Sequence, residues 1–170
     1  MFSRIKTLLC CGFKKNKNSY DINIKRISCT SSKNYLQDIT YKDTIPFIPP
    51  IAYCKVIKVY DGDTITVASK LPFRGSPLYR FSVRLASIDS PEIKGGSAKE
   101  CASALKSRDA LHNLIFGKII ELRNNGKEKY GRLLADVYLN DLHVNQWMLD
   151  NKYAIQYYGG KKQPFDKSTF

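Results

Sequence analysis

The segment CKVIKVYDGDTITVA, residues 54–68, predicts a β-hairpin at the start of the folded domain. Cys54 to Val59 is typical of a strand, and Asp61-Gly62 is a tight-turn signal. Thr64 to Ala68 is typical of the strand that returns from this turn. We therefore expect the domain to begin with two strands joined by a short connection.

Downstream of this hairpin, the sequence predicts three more strands and a short helix. In the third strand, apolar and basic residues alternate, which is typical of a strand with one buried face. A loop with two prolines and a glycine precedes it at residues 69–78. The predicted elements are strands at Tyr79 to Ile88, Lys118 to Leu122 and Leu133 to Leu139, a turn at Asn140-Asp141, and a helix at Val144 to Asn151.

A longer helix is predicted between the third and fourth strands. Ser97-Ala98-Lys99-Glu100 is a capping box with Ser97 as the N-cap, and Gly117 lies just past the expected end. His112 falls in the apolar stripe, so we expect a partly buried packing residue rather than a ligand or base. The predicted buried face consists of Cys101, Ala104, Leu105, Leu111 and Ile115.

The order of the predicted elements indicates an α+β fold that is mainly a β barrel. This order is three strands, a helix, two strands and a helix. The closest common architecture is a small five-stranded barrel of the oligonucleotide-binding type (OB-fold), with two or three helices packed on it. We assign residues 51–170 to this domain.

Residues 1–50 differ from the rest and are predicted to be a flexible basic tail. They contain 9 Lys or Arg and 3 Asp, and they end in a proline-rich linker at residues 45–50. Cys10 and Cys11 lie beside several lysines, which is compatible either with an S-acylated anchor on a membrane or other anionic surface, or with a plain disordered tail.

The net charge of +13 makes nucleic acid the first partner to consider and an anionic membrane surface the second. A basic surface without a function is also compatible with charge alone. The five cysteines include no Cys-x-x-Cys pair, so zinc binding is not expected, and their odd number argues against a disulfide framework. Cysteine usage favours an intracellular or membrane-associated location, with secretion left open.

Three clusters carry the residue types that phosphodiester hydrolysis needs. They lie at residues 61–64 (Asp-Gly-Asp-Thr), 84–92 (from Arg84 to Glu92) and 128–132 (Glu-Lys-Tyr-Gly-Arg). Hydrolysis requires a base for the attacking water and cations that stabilise the anionic transition state. The clusters offer two Asp for a hard metal ion, one Glu as base and two Arg for phosphate. Each cluster taken alone would be an ordinary turn or solvated loop.

Taken together, these clusters resemble the motifs of the staphylococcal nuclease (thermonuclease) family. The matching segments are Val59 to Thr64, Val83 to Leu85, Ile88 to Glu92, Lys129 to Arg132, and Val144-Asn145 before the short helix. The resemblance covers residues 54–158. Residues 159–170 leave too little chain for the third, C-terminal helix of the best-known members, so the closure of the pocket is left open.

The resemblance implies a calcium site and a general base. Ca²⁺ would be bound by the carboxylates of Asp63 and Asp89 and by the backbone carbonyl of Ser90, where the family usually has Thr. Glu92 would activate the attacking water. The implied activity is calcium-dependent hydrolysis of DNA and RNA with little sequence preference, leaving 3′-phosphate ends.

The resemblance also implies how the substrate is held. Arg84 and Arg132 would grip the scissile phosphate, and Lys129 and Tyr130 would contact a neighbouring one. Tyr158 would line the nucleotide pocket. We expect the protein to be a monomer.

The main alternative is a non-catalytic member that binds nucleic acid or protein, tethered through its N-terminal tail. Degenerate domains of the family typically lose the acidic residues. Because this sequence retains both Asp, the Glu and both Arg, it favours an enzyme.

Overall fold

The predicted hairpin forms the first two strands of a closed barrel. In the computed structural model, β1 (Tyr53–Val59) pairs antiparallel with β2 (Thr64–Lys70), and β2 pairs antiparallel with β3 (Leu78–Leu85). On its other edge β1 pairs with β5 (Ile119–Lys127), which pairs with β6 (Leu133–Leu139). A parallel pairing of β3 with β6 closes the ring. The five-stranded barrel is therefore confirmed.

The barrel interior is filled by the apolar residues that alternate along each strand. Their side chains point inward while the polar residues between them face solvent, as the pleat of a strand requires. These inward residues are large, branched and fully or almost fully buried: Val56, Ile65, Val67, Val83, Leu85, Ile120, Leu122 and Val137. Burying a side chain of this size contributes about 1.5–3 kcal/mol, so the alternation supplies most of the driving force for closing the barrel.

Two helices pack on the barrel and complete its core. They are α1 (Ala98–Ile115) and α2 (Val144–Asp150). The buried positions of α1 include Ala104, Leu111 and Ile115, and α2 buries Val144 and Met148. A hydrophobic core of two helices and a barrel agrees with the predicted α+β class.

The prediction for the apolar face of α1 is wrong at two positions. Leu105 and His112 are both exposed. Successive helical residues are about 100° apart, so each lies one step beyond its buried neighbour, Ala104 or Leu111. His112 instead stacks on Phe116, with ring centroids 4.4 Å apart, on the outer side of the helix.

The third strand is shorter than predicted. It ends at Leu85 rather than at Ile88, because Ala86 and Ser87 form a turn in which Ser87 adopts a φ of 62°. The chain then forms β4 (Ile88–Asp89), which pairs outside the barrel with β8 (Ile155–Gln156). This break redirects Asp89 and the residues after it away from the barrel sheet.

Two other strands differ from their prediction. The fourth predicted strand, β5, continues past Leu122 to Lys127, with a register shift between Arg123 and Gly126. The predicted turn at Asn140-Asp141 is confirmed, and it leads into a short strand β7 (Leu142–His143) on the outer edge of β6.

The structure describes residues 36–93 and 98–160, although the side chains of residues 98 and 99 are outside the description. Residues 1–35, with Cys10 and Cys11, residues 161–170 and the proposed N-cap Ser97 therefore lie outside the described residues. The chain divides into two units between Thr44 and Ile45, close to the predicted boundary at residue 50, which stays a prediction. Within the described part, no helix has the length and apolar character to cross a membrane.

Gly62 is required by close packing and not by a left-handed backbone. A Cβ at this position would lie 1.9 Å from the Ser107 hydroxyl oxygen and 2.8 Å from the Ser90 Cβ. Ser107 is fully buried on α1 and donates a hydrogen bond to the Tyr153 carbonyl at 2.7 Å. The glycine thus lets α1 approach the β1–β2 connection and the chain around Ser90.

Asn145 connects α2 to the barrel. Its carboxamide oxygen accepts from the Val137 amide at 2.9 Å, and its NH₂ group donates to the Ala86 carbonyl at 2.9 Å and the Ala135 carbonyl at 3.3 Å. The side chain is buried, so the Val137 amide depends on it for a partner, whereas the Ala135 carbonyl also accepts from the Ala86 amide at 2.9 Å. The bond to Ala86 also fixes the turn that follows β3.

We expect Asn145→Ala to lower the free energy of unfolding by about 2–4 kcal/mol, because it leaves the buried Val137 amide without its partner and removes a donor from two carbonyl oxygens. Urea denaturation of the full chain measures this change. Gln146→Ala is the matched control, since its side chain is exposed and bonds only Asp150. A loss at Asn145 no larger than the control's would show that the connection is dispensable.

Candidate functional site

A cleft of about 680 Å³ lies where the β1–β2 connection, the segment after β4 and the β5–β6 loop meet. It is lined by charged and aromatic side chains from all three sequence clusters. The lining residues are Tyr60, Asp61, Asp63, Arg84, Ser90, Pro91, Glu92, Ile93, Glu128, Lys129, Tyr130, Arg132, Tyr157 and Gly160. The fold therefore brings residues from opposite ends of the domain sequence to one depression.

Arg84 joins two buried carboxylates at the base of this cleft. Its Nη1 lies 2.7 Å from Asp63 Oδ1, and its Nη2 lies 2.7 Å from Asp89 Oδ1. The side chains of both acids are almost fully buried, and that of Arg84 is 11% exposed. Because isolated buried charges are very costly, this cation is what permits two carboxylates to lie together here.

The Asp63 carboxylate accepts hydrogen bonds from three residues, one of which is Arg84. Its Oδ1 also accepts from the Thr64 hydroxyl at 2.8 Å, and its Oδ2 accepts from the Ser90 amide at 3.1 Å. Burial, with the nearby charge of Asp61, raises the pKa of the Asp63 carboxyl to about 6, against the opposing effect of Arg84 and the hydrogen bonds. A further positive charge near Asp63 would therefore be favourable.

Arg132 is oriented by a carboxylate from its own loop. Its Nε and Nη2 each lie 2.8 Å from one oxygen of Glu128, a bidentate arrangement that fixes the plane of the guanidinium. The partnership lowers the pKa of Glu128 and raises that of Arg132. Nη1 of Arg132 donates to the Thr64 hydroxyl at 3.2 Å. Thr64 thus links Arg132 to Asp63.

The β5–β6 loop presents Lys129 and Tyr130 at the rim of the cleft. Gly131 adopts a φ of 86°, which favours glycine, and its amide donates to the Glu128 carbonyl at 2.9 Å. Tyr130 is exposed, and the Lys129 ammonium lies 4.7 Å from the centroid of its ring. Both side chains are placed to meet a ligand that extends out of the cleft.

Glu92 lies in the wall of the cleft and is exposed to solvent. It is separated from the buried Ser90 by Pro91, which is itself buried. The fixed φ of proline limits the movement of Glu92 relative to Asp89 and Ser90. The carboxylate is therefore accessible to water while its backbone is anchored.

Tyr157 lines the cleft, whereas Tyr158, the residue expected there, is not among the lining residues. Tyr158 is 81% exposed and its hydroxyl contacts Gln156. The Tyr157 hydroxyl donates to the Gly160 carbonyl at 3.0 Å. Neighbouring residues in extended chain point to opposite sides, so a shift of one position changes which tyrosine faces the cleft.

The site fits a hard metal ion in its donor chemistry, although it is not a dense cluster of ligands. Within residues 36–93 and 98–160, no group of three or more His, Cys, Asp or Glu side chains could hold a metal. Asp63 and Asp89 nevertheless both contact one positive group, the Arg84 guanidinium. Carboxylate oxygens are among the donors that Ca²⁺ prefers, and one backbone carbonyl, that of Ile88, accepts from Arg84 Nη2 at 3.3 Å beside them.

Thr64, Glu128 and Tyr157 belong to the site, but the sequence did not identify their roles. Glu128 lies four residues before Arg132, a spacing at which a carboxylate and a guanidinium can meet even without a helix. Thr64 follows Asp63 directly, and a hydroxyl beside a carboxylate is a common capping arrangement. The sequence carried no signal that distinguished Tyr157 from Tyr158.

Comparison with known proteins gives a consistent family assignment. The model of the family described as staphylococcal nuclease homologue matches residues 82–169, just over half of the chain. This match includes Arg84, Asp89, Glu92 and Arg132, while Asp63 lies upstream of it.

Individual relatives agree with this match. A protein of Haemophilus influenzae named an uncharacterized endonuclease is 36% identical over 104 residues, which are 61% of this chain and 52% of that protein. An uncharacterized endonuclease of Escherichia coli is 29% identical over 119 residues, 69% of each chain. A rice protein (Oryza sativa subsp. japonica) named a probable staphylococcal-like nuclease is 33% identical over 85 residues, 50% of this chain and 22% of its own.

The chain thus spans about half the length of the Haemophilus relative and about a fifth of the rice relative. On the family match and the cleft together, the chain belongs to the staphylococcal nuclease homologue family.

Proposed function

We propose that this protein is a nuclease that hydrolyses phosphodiester bonds of DNA and RNA. The observation that carries the proposal is the joint presence in one cleft of Arg84, Arg132 and the exposed carboxylate of Glu92. Two guanidinium groups provide positive charge for a phosphate, and a solvent-accessible carboxylate provides a base for water. The endonuclease and nuclease names of the relatives support the same reaction class.

The two arginines differ in how much of each is available to a phosphate. Arg84 uses its two terminal nitrogens for Asp63, Asp89 and the Ile88 carbonyl, and its Nε–H is left for other partners. Arg132 uses Nε and Nη2 for Glu128, and its Nη1 reaches the Thr64 hydroxyl. These contacts hold both guanidinium groups in a fixed orientation at the cleft, which favours stabilisation of the charge that develops on a phosphate.

Glu92 is proposed as the general base. Its carboxylate is exposed in the cleft wall, where it can accept a proton from a water positioned against the bound phosphate. Attack of this water on phosphorus with departure of the 5′ oxygen, which breaks the P–O5′ bond, would leave the 3′-phosphate ends that the family resemblance implies. Since the bound strand would be held through phosphates and not through base edges, little sequence preference is expected.

We further propose that Ca²⁺ is the cofactor and that Asp63, Asp89 and the Ser90 carbonyl would hold it. Staphylococcal nuclease homologues are generally calcium-dependent. When bound, the ion supplies positive charge that offsets the charge of the phosphate in the transition state. The donor set of two buried carboxylates supports this choice, since Ca²⁺ prefers oxygen ligands.

The alternative is a binding module without catalysis. The cleft argues against it, because a module that only binds polyanions has no use for a buried pair of carboxylates next to its phosphate-binding arginines. The monomeric state and a membrane contact of the N-terminal tail stay predictions.

Glu92→Gln is expected to lower kcat by about 10²–10⁴-fold on single-stranded DNA, because it removes the base and preserves the shape of the side chain. Affinity for the oligonucleotide should change little. The control is Glu121→Gln, whose side chain pairs with Arg123 on the outer face of β5. Steady-state cleavage together with equilibrium binding separates the two effects. Equal rates for Glu92→Gln and wild type would refute the assignment.

Calcium is expected to raise the Tm of the full chain, by an amount equivalent to about 2.7 kcal/mol when Ca²⁺ is at a hundred times its Kd. Asp89→Asn should abolish most of this shift, whereas Asp150→Asn, on the exposed side of α2, should keep it. Thermal denaturation with CaCl₂, MgCl₂ or EGTA tests binding, and cleavage under the same conditions tests catalysis. Undiminished cleavage in EGTA would contradict the calcium assignment.

A further inference from the structure

The strands β1, β2 and β3 carry basic residues and no acidic ones. Their segments Tyr53–Val59, Thr64–Lys70 and Leu78–Leu85 contain no Asp or Glu. The basic residues are Lys55, Lys58, Lys70, Arg80 and Arg84. A barrel does not need such an imbalance for its stability, since like charges on neighbouring strands repel each other.

The register places these charges on one outer face. Lys55 lies opposite Ala68, which lies opposite Arg80, so these residues form one row across the three strands. In the next row, Lys58 lies opposite Thr66, which lies opposite Ser82.

An irregularity in β1 is needed for this arrangement. Lys55 and Lys58 are three residues apart, and in a regular strand they would point to opposite faces. The register shift between Val56 and Lys58 adds one residue, so both lysines are exposed while Val56 and Val59 are buried. The bulge therefore turns the Lys58 side chain to the same outer face as Lys55.

Small side chains separate the cations on this face. Ala68 and Thr66 occupy β2 in the middle of the two rows, and Ser82 lies on β3. The longer side chains of Lys55, Lys58 and Arg80 rise from the flanking strands and are exposed. The result is a shallow strip with positive charge along both edges, which we call the basic track.

The basic track is continuous with the cleft. Arg84 and Arg80 share one face of β3 because they are four residues apart, roughly 13 Å at about 3.3 Å per residue. Arg84 lines the cleft, and Thr64 lies opposite it in the register. On the other edge, the Lys58 ammonium lies 5.7 Å from the ring centroid of Tyr60, which also lines the cleft.

The cations of the basic track have no carboxylate partners among the residues that the structure describes. No ion pair there involves Lys55, Lys58 or Arg80. The outer face of β5 and β6 is different, since Arg123 pairs with Glu121 at 2.7 Å. Unpaired cations on an exposed face favour an anionic ligand over an internal structural role.

We propose that the basic track, formed by Lys55, Lys58 and Arg80, binds the sugar–phosphate backbone of a single nucleic-acid strand beyond the nucleotides held in the cleft. The proposal rests on the proposed function, because it extends the path of the same substrate. Binding to the basic track would make the protein prefer substrates that are long enough to reach Arg80. This binding would not depend on nucleotide sequence, because the track offers positive charges and no array of groups for base edges.

The test compares Lys55→Gln/Arg80→Gln with the control Lys106→Gln/Lys152→Gln, which removes two exposed positive charges from α1 and from the turn after α2. Cleavage is measured on a thymidine dinucleotide and on an oligothymidine of about 16 nucleotides. We expect the track variant to lose about three- to tenfold in kcat/KM on the long substrate only. Equal losses on both substrates, or a loss no greater than the control's, would overturn the proposal.

Binding gives a second readout that does not need turnover. Binding of the long oligonucleotide is measured in the Glu92→Gln background, as the slope of the logarithm of the association constant against the logarithm of the salt concentration. This slope should become shallower by about 1.4 for the track variant, which is about 0.7 for each lost phosphate contact. An unchanged slope would overturn the proposal. Binding to anionic phosphatidylserine vesicles is measured alongside, and a loss of affinity by the track variant for the vesicles but not for the oligonucleotide would also overturn it. If wild type cleaves neither substrate, the proposed function fails, and a shallower slope still supports the track as a binding surface.

Discussion

The contact on which the site depends is the double ion pair of Arg84 with Asp63 and Asp89. Two carboxylates that are almost completely removed from water would repel each other and lose their hydration, and one guanidinium with two 2.7 Å contacts offsets both costs. The balance between this one cation and the two carboxylates determines what a substitution at Arg84 does. Removing Arg84 would take the shared cation away from two buried carboxylates, so a substitution there is expected to destabilise the fold as well as to change the cleft. Glu92 is exposed in the cleft wall, so its carboxylate can be replaced with less effect on the buried ion pair.

Three pieces of backbone bring this ion pair together, and each is fixed by a specific contact. The β1–β2 connection carries Asp63, and Gly62 allows it to lie against Ser107 and Ser90. The turn at Ser87 breaks β3 and sends Asp89 into β4, away from the barrel sheet. Asn145 bonds the Ala86 carbonyl just before that turn. The site is therefore held by the packing of α1 and α2 as much as by the barrel.

Much of the fold could be predicted from local sequence. Strands with alternating apolar and polar residues, and helices with capping residues at their ends, depend mainly on near neighbours in the chain. The barrel strands were placed well, and the residues Asp63, Arg84, Asp89, Glu92 and Arg132 could be selected through their combined resemblance to a family. Features that depend on tertiary contacts were not accessible. The break after Leu85 is stabilised partly by the Tyr157 amide, which donates to the Ser87 carbonyl at 2.9 Å from a distant part of the chain.

Other features of the helix and of the cleft depend on tertiary contacts in the same way. Leu105 was expected on the buried face of α1 because apolar residues usually are, yet the rotation of the helix is set by Ala104 and Leu111 against the barrel. Gly62 was interpreted as a turn glycine, whereas its absent side chain is what permits the approach of Ser107. Tyr157 and Tyr158 have the same chemistry, so the sequence alone does not distinguish Tyr157, which lines the cleft, from its neighbour.

Strand β3 carries both core residues of the barrel and an arginine that lines the cleft. Its residues Val83 and Leu85 are fully buried in the barrel, while Arg84 and Arg80 alternate with them on the outer face. The pairing of β3 with β2 and β6 locks the register, so the inward residues cannot shift without moving the cations. The hydrophobic core thus sets the position of Arg84 relative to Asp63, and the same alternation carries positive charge away from the cleft to Arg80.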